Sequence, residues 1–316
     1  VWLDGERAVG TDLDMLLEVP CSVDGLSAPL AVPLAPLLKL KDPSLSDEGD
    51  DKLTARKDGL TLKLDTLPAE DFPVSQASGF QAAFDGANLL DIFRRLAPCI
   101  ANEETRRYYL NGVYLDVEGG ELHAVAIDGH KLGHFLVGPA PDGMPNADII
   151  IPRKAVHALL RMKSEIVSVE IAPAYIRFHL DGGAILTTKL IDAKYPDWRR
   201  FITEKQDSCL TVDRKAMLDA CKKLKKLGLH GTVVTLCLND GGSTLAQDDS
   251  CTGKALIDIF TRWNGTQDLR ILFNIDYLIE LLSVIDGDSV QFNIRDQRSP
   301  VLIDGAYVLM PMRWSV

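Results

Sequence analysis

A carboxylate and two histidines that lie close together in the sequence are the first candidates for chemistry. Asp128-Gly129-His130 is followed four residues later by His134, and such groups could transfer protons or bind a metal ion. The pattern predicts that they lie at a strand end rather than on a helix, and no acidic residue stands at a spacing that metal sites use. These residues therefore do not predict a metal centre.

Two further catalytic patterns are incomplete. Gly253-Lys254 is similar to part of a phosphate-binding loop, but Asp248 and Ala255 stand where that loop needs a glycine and a hydroxyl. The sequence also has no G-x-S-x-G element, which would indicate a serine nucleophile. Because no nucleophile and base are recognisable together, we expect no catalytic activity, no cofactor and no metal.

The overall charge limits how the protein could bind nucleic acid. The 316 residues carry a formal net charge of −11, and 46% of them are hydrophobic, which is enough for two or three domain cores. A protein that holds DNA by bulk electrostatics is usually basic, so this charge argues against a simple coat-type DNA binder. It is compatible with positive charge confined to one internal surface.

The sequence carries no signal for membrane insertion or secretion. It has no apolar run of the length that spans a bilayer, and its first segment, VWLDGERAVG, is charged. The six cysteines are scattered without a C-x-x-C pair, whereas a disulfide framework or a zinc site needs clustered spacing. We therefore expect reduced thiols, a cytoplasmic location and no membrane partner.

Positive charge gathers on the predicted helices, while acidic residues dominate loops such as 42–51. An amphipathic helix commonly shows lysines to water, so a solvated face is one interpretation. The other is a helix-lined surface that meets phosphates through long side chains. The helix 274–285 departs from the pattern, because it carries Asp276 and Glu280 and no Lys or Arg.

One structural unit recurs along the chain, which predicts repeated domains. Each copy reads as a strand end, a short amphipathic helix and alternating strands that run into a proline. Pro33 and Pro152 are 119 positions apart, Pro152 and Asn274 are 122 apart, and Pro73 and Pro196 are 123 apart. Three elements at nearly one spacing indicate a repeat.

A second pattern alternates with the first. Segments 85–97 and 213–227 predict amphipathic helices, the latter with Asp213 as N-cap and Gly228 just after its end. Antiparallel strands follow, such as YYLNGVYLDVE and ELHAVAID, which are separated by Gly119-Gly120. Each complete unit is therefore two copies of helix plus antiparallel strands, an α+β architecture.

Breaks in the apolar patterns near residues 77 and 203 predict three domains, at 1–77, 78–203 and 204–316. One repeat spacing before Asp85 falls ahead of residue 1, so we expect the first domain to contain only its second half. A chain that begins at Val1 is then expected to dimerise poorly, because half a domain leaves its core incomplete.

Seven segments in this order resemble the bacterial DNA polymerase III beta subunit, the sliding clamp family. They are GTDLDM (10–15), TLPAEDFP (66–73), RRYYLNGVYL (106–115), AIDGHKL (126–132), IPRKAV (151–156), TTKLIDAKYPDWRR (187–200) and YVLMPMR (307–313). The resemblance covers nearly the whole chain. It implies a DNA clamp fold with three similar domains per chain, in which two chains close head to tail into a ring. Helices line its hole and sheets form its outer wall.

The resemblance also implies a non-enzymatic function: a processivity factor that encircles duplex DNA without sequence specificity. A hydrophobic groove between the second and third domains would tether the replicative polymerase, the clamp loader and repair proteins through short peptides. The expected groove residues are Tyr109, Leu110, Ile127, Gly129, His130, Lys131, Leu132, Pro196, Arg200, Phe201, Asn274, Tyr277, Val308, Leu309, Met310, Pro311, Met312 and Arg313.

Two further surfaces are implied. The expected DNA-facing residues are Arg94, Arg95, Arg106, Arg107, Tyr108, Arg153, Lys154, Arg161, Lys215, Lys222, Lys223, Lys225 and Lys226. The expected interface of the homodimer includes Leu37 and Leu40 on a helix over 33–41, and Leu62 and Leu64 on a strand.

The sequence departs from the usual family pattern at three positions near the groove. Ile127 replaces a common threonine, Lys131 replaces arginine, and Trp198 replaces tyrosine. Lysine lacks the planar fork of arginine, so the set of favoured peptides is expected to shift. A clamp paralogue that serves a resistance or mobile-element system instead of the main replicase is the alternative function.

Overall fold

The computed structural model describes residues 1–47, 52–73, 77–102, 106–145, 148–202, 208–229, 231–239, 242–249, 253–259, 261–265 and 268–313. The predicted boundary at 203–204 lies outside these residues. The chain forms two compact units. Val1–Leu90 and Ala140–Asp192 make the first, and Asp91–Pro139 and Ala193–Val316 make the second.

Strands and helices are numbered in chain order. The strands are β1 Trp2–Leu3, β2 Arg7–Thr11, β3 Met15–Pro20, β4 Leu30–Ala31, β5 Ser44–Asp47, β6 Lys52–Lys57, β7 Leu60–Asp65, β8 Leu67–Pro68, β9 Ala82–Asp85, β10 Gly112–Glu118, β11 Glu121–Ile127, β12 Lys131–Pro139, β13 Ile149–Pro152, β14 Ile166–Ile171, β15 Tyr175–Leu180, β16 Ile185–Lys189, β17 Cys209–Asp213, β18 Val233–Asn239, β19 Gly242–Asp249, β20 Gly253–Ile259, β21 Thr261–Trp263, β22 Leu269–Asn274, β23 Ser289–Asn293, β24 Val301–Ile303 and β25 Tyr307–Leu309. The helices are α1 Leu34–Leu37, α2 Leu89–Leu96, α3 Arg153–Met162, α4 Arg214–Leu227 and α5 Ile275–Val284.

The element order repeats as the sequence predicts. A strand, a helix and three strands occur as β9-α2-β10-β11-β12, as β13-α3-β14-β15-β16, and as β22-α5-β23-β24-β25. The β17-α4-β18-β19-β20 segment has the same order. The predicted α+β class, built from helices and antiparallel sheets, is confirmed.

The first unit contains a nine-stranded sheet in the order β8-β4-β1-β2-β3-β16-β15-β14-β9 and a three-stranded sheet β5-β6-β7. The strands within these sheets pair antiparallel; for example, Leu186 of β16 lies opposite Leu17 of β3. A core cluster includes Leu3, Leu30 and Leu53. The sheets thus hold the apolar side chains of distant segments together.

In the second unit, strands β10, β11, β12, β25, β24, β23, β17 and β21 are hydrogen-bonded in this order, and β20-β19-β18-β22 form another sheet. Helix α4 begins where the Asp213 carboxylate accepts a hydrogen bond from the Ala216 N–H at 2.7 Å. It ends at Gly228, whose φ of 64° is left-handed. Both predicted caps of this helix are confirmed.

Two helices are shorter than the sequence predicts, and two tyrosines lie in a different element. Asp85 belongs to β9 and its carboxylate accepts the Ala87 N–H at 2.9 Å, so a turn precedes α2. Helix α1 covers only Leu34–Leu37, because none of its residues is buried to support a longer apolar face. Tyr108-Tyr109 lies in a 3₁₀ turn ahead of β10 rather than in the strand.

Among the described residues, no helix is long and apolar enough to cross a membrane.

Candidate binding cleft

A cleft of about 450 Å³ opens on the surface of the second unit. Its lining consists of Arg107, Tyr109, Leu110, Ile127, Gly129, His130, Lys131, Leu132, Pro196, Arg200, Phe201, Pro300, Val308 and Met310. Most of these side chains are apolar, with a few polar groups among them. That composition is typical of a ligand-binding site.

Several segments that are distant in sequence build the cleft. The turn between β11 and β12 supplies Gly129–Leu132, and the 3₁₀ turn Trp198–Phe201 supplies Arg200 and Phe201. The end of β25 supplies Val308 and Met310. Strand β25 is fixed beside β12 because Leu132 pairs with Val308 and the Met310 N–H donates to the His130 carbonyl at 2.9 Å.

Asp128 shapes the β11–β12 turn. Its carboxylate accepts the N–H groups of His130 at 2.8 Å and Lys131 at 2.7 Å, which is a common turn-stabilising arrangement. Gly129 has a φ of 95°, and an added Cβ there would lie 2.9 Å from Arg107 Nη1. The Asp-Gly-His segment therefore has a structural role in presenting the cleft edge.

Lys131 is an interior ion-pair residue rather than an exposed cation. Its side chain is 4% exposed, its Nζ bonds to Glu280 and lies 3.3 Å from Asp128, and it sits 4.3 Å from the Tyr277 ring centroid. Burial alone lowers the pKa of Lys131, but the hydrogen bond to Glu280 and the nearby carboxylates outweigh it and raise that pKa. The ammonium thus anchors α5 to the cleft edge.

The floor of the cleft is apolar and its rim is adaptable. Ile127, Leu132 and Val308 are buried in the floor, while Phe201 is 49% exposed and Met310 41% exposed. A methionine adjusts its shape to different partners because its side chain is unbranched and polarisable. Such an arrangement can accept an apolar side chain from another molecule.

Most of the residues predicted for the groove meet in this cleft, and six described residues lie outside its lining. Those six are Asn274, Tyr277, Leu309, Pro311, Met312 and Arg313. Asn274 caps α5 by accepting the Asp276 N–H at 2.9 Å. Tyr277 stacks on His130 with ring centroids 5.5 Å apart, and Leu309 is fully buried.

The other three continue the chain beyond the cleft. The Met312 N–H donates to the Leu272 carbonyl at 2.7 Å, Pro311 is half-buried, and Arg313 is exposed. The structure also adds Arg107 and Pro300 to the lining. Arg107 was expected to face DNA. No sequence signal distinguished a DNA-facing residue from a cleft-lining residue at this position.

The cations expected to face DNA differ in their surroundings. Arg94 donates to Asp91 at 2.7 Å and to Asp286 at 3.2 Å, Arg95 lies 4.2 Å from the Phe135 ring centroid, and Lys154 pairs with Asp12. Lys225 pairs with Asp276 at 2.6 Å. The exposed members of the predicted set are Arg106, Arg107, Tyr108, Lys154, Arg161, Lys215, Lys222, Lys223, Lys225 and Lys226, whereas Arg153 is half-buried.

The residues expected at a dimer interface also differ in exposure. Leu37 packs against the core cluster of the first unit and is half-buried, as are Leu40 and Leu62. Leu64 is only 6% exposed within the chain itself. The most exposed leucine beside them is Leu38, at 72%.

Family models and similar known proteins indicate the same protein family. The model of the DNA polymerase III beta subunit central domain matches residues 85–197, and that of its C-terminal domain matches residues 199–313. The beta sliding clamp of Caulobacter vibrioides is 32% identical over 96% of this chain and 87% of its own length. That of Pseudomonas aeruginosa is 30% identical over 96% of this chain and 88% of its own length.

Solved structures show the same fold. A sliding clamp from Bartonella birtlesii, crystallised with griselimycin, has a TM-score of 0.87 at 30% identity and covers 99% of this chain and 91% of its own. A Pseudomonas aeruginosa clamp has a TM-score of 0.86 at 28% identity, with coverage of 99% and 91%.

Fold and cleft together define a processivity clamp, a class of replication protein that has no catalytic site of its own. The chain belongs to the family of bacterial DNA polymerase III beta subunits, the beta sliding clamps. The predicted family and function are confirmed, and the comparisons do not favour the paralogue alternative.

Proposed function

We propose that this clamp holds DNA polymerase III and other partners on DNA by binding short peptide segments of those partners in the cleft of the second unit. The observation that carries the proposal is the cleft itself: a buried floor of Ile127, Leu132 and Val308 beneath an exposed rim of Phe201 and Met310. Apolar anchors that fill such a desolvated pocket dominate binding energies.

The rim favours several different peptides over one. Met310 can repack around anchors of different shape. Arg200 is 80% exposed in its side chain and pairs with Asp197 at 2.9 Å, so its guanidinium can also meet a polar group of a peptide. The replicative polymerase, the clamp loader and repair proteins are the proposed sources of these peptides.

The remaining proposals concern the assembly. Two copies form a ring around duplex DNA without reading its sequence, each copy contributing three clamp domains. The exposed lysines of α4 contact phosphates. The protein acts in the cytoplasm and needs no cofactor.

A peptide titration tests the cleft. A labelled clamp-binding peptide from a replicative polymerase should bind the wild-type protein, and Phe201→Ala with Met310→Ala should weaken binding by about 2 kcal/mol or more. Both residues are about half exposed, so the fold should survive. Leu256→Ala is the matched control, because Leu256 is a 57% exposed apolar residue on β20. Equal affinity of the double variant and the control would refute the cleft as the docking site.

A topological experiment tests encirclement. Once loaded, the full protein should remain on closed circular DNA at moderate salt and leave after the circle is cut. Phosphate contacts weaken steeply with salt, whereas a closed ring is retained by linkage. Equal loss from circular and linear DNA would show that the protein does not encircle DNA.

A further inference from the structure

Two imidazoles are packed together behind the wall of the cleft that carries Phe201. His134 Nε2 lies 2.9 Å from His123 Nδ1, and their ring centroids are 4.9 Å apart. His123 is only 8% exposed. One hydrogen therefore lies between the two nitrogens, and the contact requires that at least one ring offers a lone pair.

The pair supports Trp198, the first residue of the turn that reaches the cleft. The indole ring centroid lies 4.4 Å from that of His134, and Trp198 is 2% exposed. Its Nε1–H donates to Asp116 Oδ2 at 2.8 Å. Arg199 covers the indole at 4.6 Å and donates to the same Asp116 oxygen at 2.8 Å. The indole is thus held from several sides.

Sheet register explains how the histidines meet. Asp116 pairs with His123 across β10 and β11, His123 pairs with Leu136 across β11 and β12, and Val125 pairs with His134. Directly opposed residues point to the same face of a sheet. The turn that begins at Trp198 covers this face and continues directly into Arg200 and Phe201, which line the cleft.

The charged groups around His134 disfavour a positive charge on its ring. The charged and titratable groups on the neighbouring elements are Asp116 and Glu118 on β10, Glu121 and His123 on β11, and Asp197 and Arg199 beside the indole. The carboxylate of Asp116 is already bonded to Trp198 and Arg199, and that of Glu118 to Arg199 at 2.7 Å. A proton added to His134 would therefore place a half-buried cation beside the Arg199 guanidinium.

We propose that His134 is a positioning residue for peptide binding: its uncharged ring holds Trp198, and thereby Phe201 and Arg200, in the geometry that forms the cleft wall. Acidification that protonates His134 then loosens this wall and weakens peptide binding. The inference rests on the proposed peptide-binding function of the cleft. It assigns to a residue outside the cleft lining a control over the affinity of the site.

The direction of the titration agrees with this geometry. Burial, followed by the charges of His123 and Arg199, lowers the pKa of His134 to about 4. The ring is therefore neutral at ordinary pH, and protonation in the folded protein begins only under clearly acid conditions.

The test compares peptide affinity near pH 7.5 and near pH 3.4, below the lowered pKa of His134, by surface plasmon resonance. The protein is immobilised because its isoelectric point near 5.0 would favour precipitation in solution. The peptide carries no His, Asp or Glu. At neutral pH, His134→Phe should bind almost as the wild type does because it retains a neutral ring, whereas His134→Ala should bind about fivefold more weakly or worse.

The pH profile separates positioning from mere structural support. In the wild type, acidification should weaken binding by about fivefold more than in His134→Phe. His130 lies in the cleft of both proteins, so only the difference between them is attributed to His134. His157→Phe, on α3 of the first unit, is the matched control and should keep the full acid dependence.

Intrinsic fluorescence gives a readout that does not depend on a peptide. Protonation of a stacked imidazole should quench Trp198, and this acid quenching should disappear in His134→Phe. Peptide binding with the same pH dependence in wild type and His134→Phe would overturn the inference and leave the proposed function standing. Absence of peptide binding in all variants near neutral pH would overturn the proposed function, and the inference with it.

Discussion

The Trp198 indole donates its N–H to the Asp116 carboxylate across 2.8 Å, although the two residues are 82 positions apart in the chain. Asp116 also accepts from Arg199 and from the Tyr114 hydroxyl, the latter at 3.3 Å. One half-buried carboxylate thus connects β10 to the turn that carries Arg200 and Phe201.

Removing this carboxylate should affect both stability and binding. Asp116→Ala leaves the buried indole N–H unsatisfied, so we expect a loss of about 1–3 kcal/mol in the free energy of unfolding and weaker peptide binding. Asp116→Asn retains an acceptor oxygen and should lose less. Chemical denaturation and peptide titration of the three proteins measure both effects. Equal stability of Asp116→Ala and wild type would contradict the expectation.

The Lys131–Glu280 pair predicts that the free energy of unfolding decreases at alkaline pH. The pKa of Lys131 is raised in the folded protein, so the stabilisation it reflects is fully present below the unfolded value of 10.5 and is lost as pH rises through the folded pKa. Glu280→Gln should cost on the order of 1 kcal/mol near neutral pH and flatten this alkaline decline. Denaturation curves from neutral to strongly alkaline pH check it, and an unchanged profile in the variant would exclude the pair as the cause.

His134 predicts that the free energy of unfolding decreases as the pH becomes acid. Its pKa falls from 6.5 to about 4 on folding, so the unfolded chain binds the proton first and stability decreases as pH falls between these two values. Replacing the ring in His134→Phe should remove this component of acid destabilisation. Urea unfolding of the wild type and of His134→Phe at a series of pH values measures it. A variant that loses stability between pH 6.5 and 4 as steeply as the wild type would be evidence against the assignment.

The α4 lysines should carry salt-sensitive DNA contact. Lys222 and Lys223 are exposed on α4, whereas Lys225 pairs with Asp276. Lys222→Ala with Lys223→Ala should weaken DNA binding and reduce the slope of log affinity against log salt by about 2.

A matched variant removes two positive charges elsewhere. Lys52 and Lys254 are about half exposed and lie next to Asp65 and Asp248, respectively. Changing both to alanine should leave the slope unchanged. If the two double variants showed equal slopes, the α4 lysines would be only a solvated face.

Gly133 should be intolerant of a side chain. A Cβ there would lie 2.9 Å from Leu96 Cδ2, 3.3 Å from Cys99 Sγ and 3.4 Å from Tyr307 Cδ1. Overpacking of this kind typically costs about 1–3 kcal/mol, so Gly133→Ala should lower the melting temperature. Gly10→Ala, where a Cβ would meet nothing within 4 Å, is the control in a strand. A Gly133→Ala protein as stable as that control would contradict the packing argument.

Local sequence signals predicted some elements correctly and did not predict the extent of others. Helix α4 combines a long apolar stripe with Asp213 and Gly228 at its ends, so sequence and structure agree. Helix α1 has no such support, because none of its residues is fully buried. Beyond Leu37 the chain continues in single turns, such as the one in which the Leu40 N–H donates to the Leu37 carbonyl at 2.9 Å. Apolar content alone overestimated its length.

Some features of the site could likewise be predicted from the sequence, and others could not. Segments such as AIDGHKL and YVLMPMR indicated the cleft through family resemblance, and half of their residues line it. The burial of Lys131 could not be predicted, because it depends on Glu280, which lies 149 positions away in sequence. The contact between His123 and His134 also depends on strand register, which no local pattern specifies.

The pairing of β25 with β12 has a consequence for biosynthesis. The cleft needs Val308 and Met310, which join the β11–β12 turn only when this last described strand is in place. A ribosome-bound chain that has not reached these positions, or a chain clipped ahead of them by a protease, therefore has no finished docking site. The proposed docking site therefore forms only in molecules in which β25 has been made and has paired with β12.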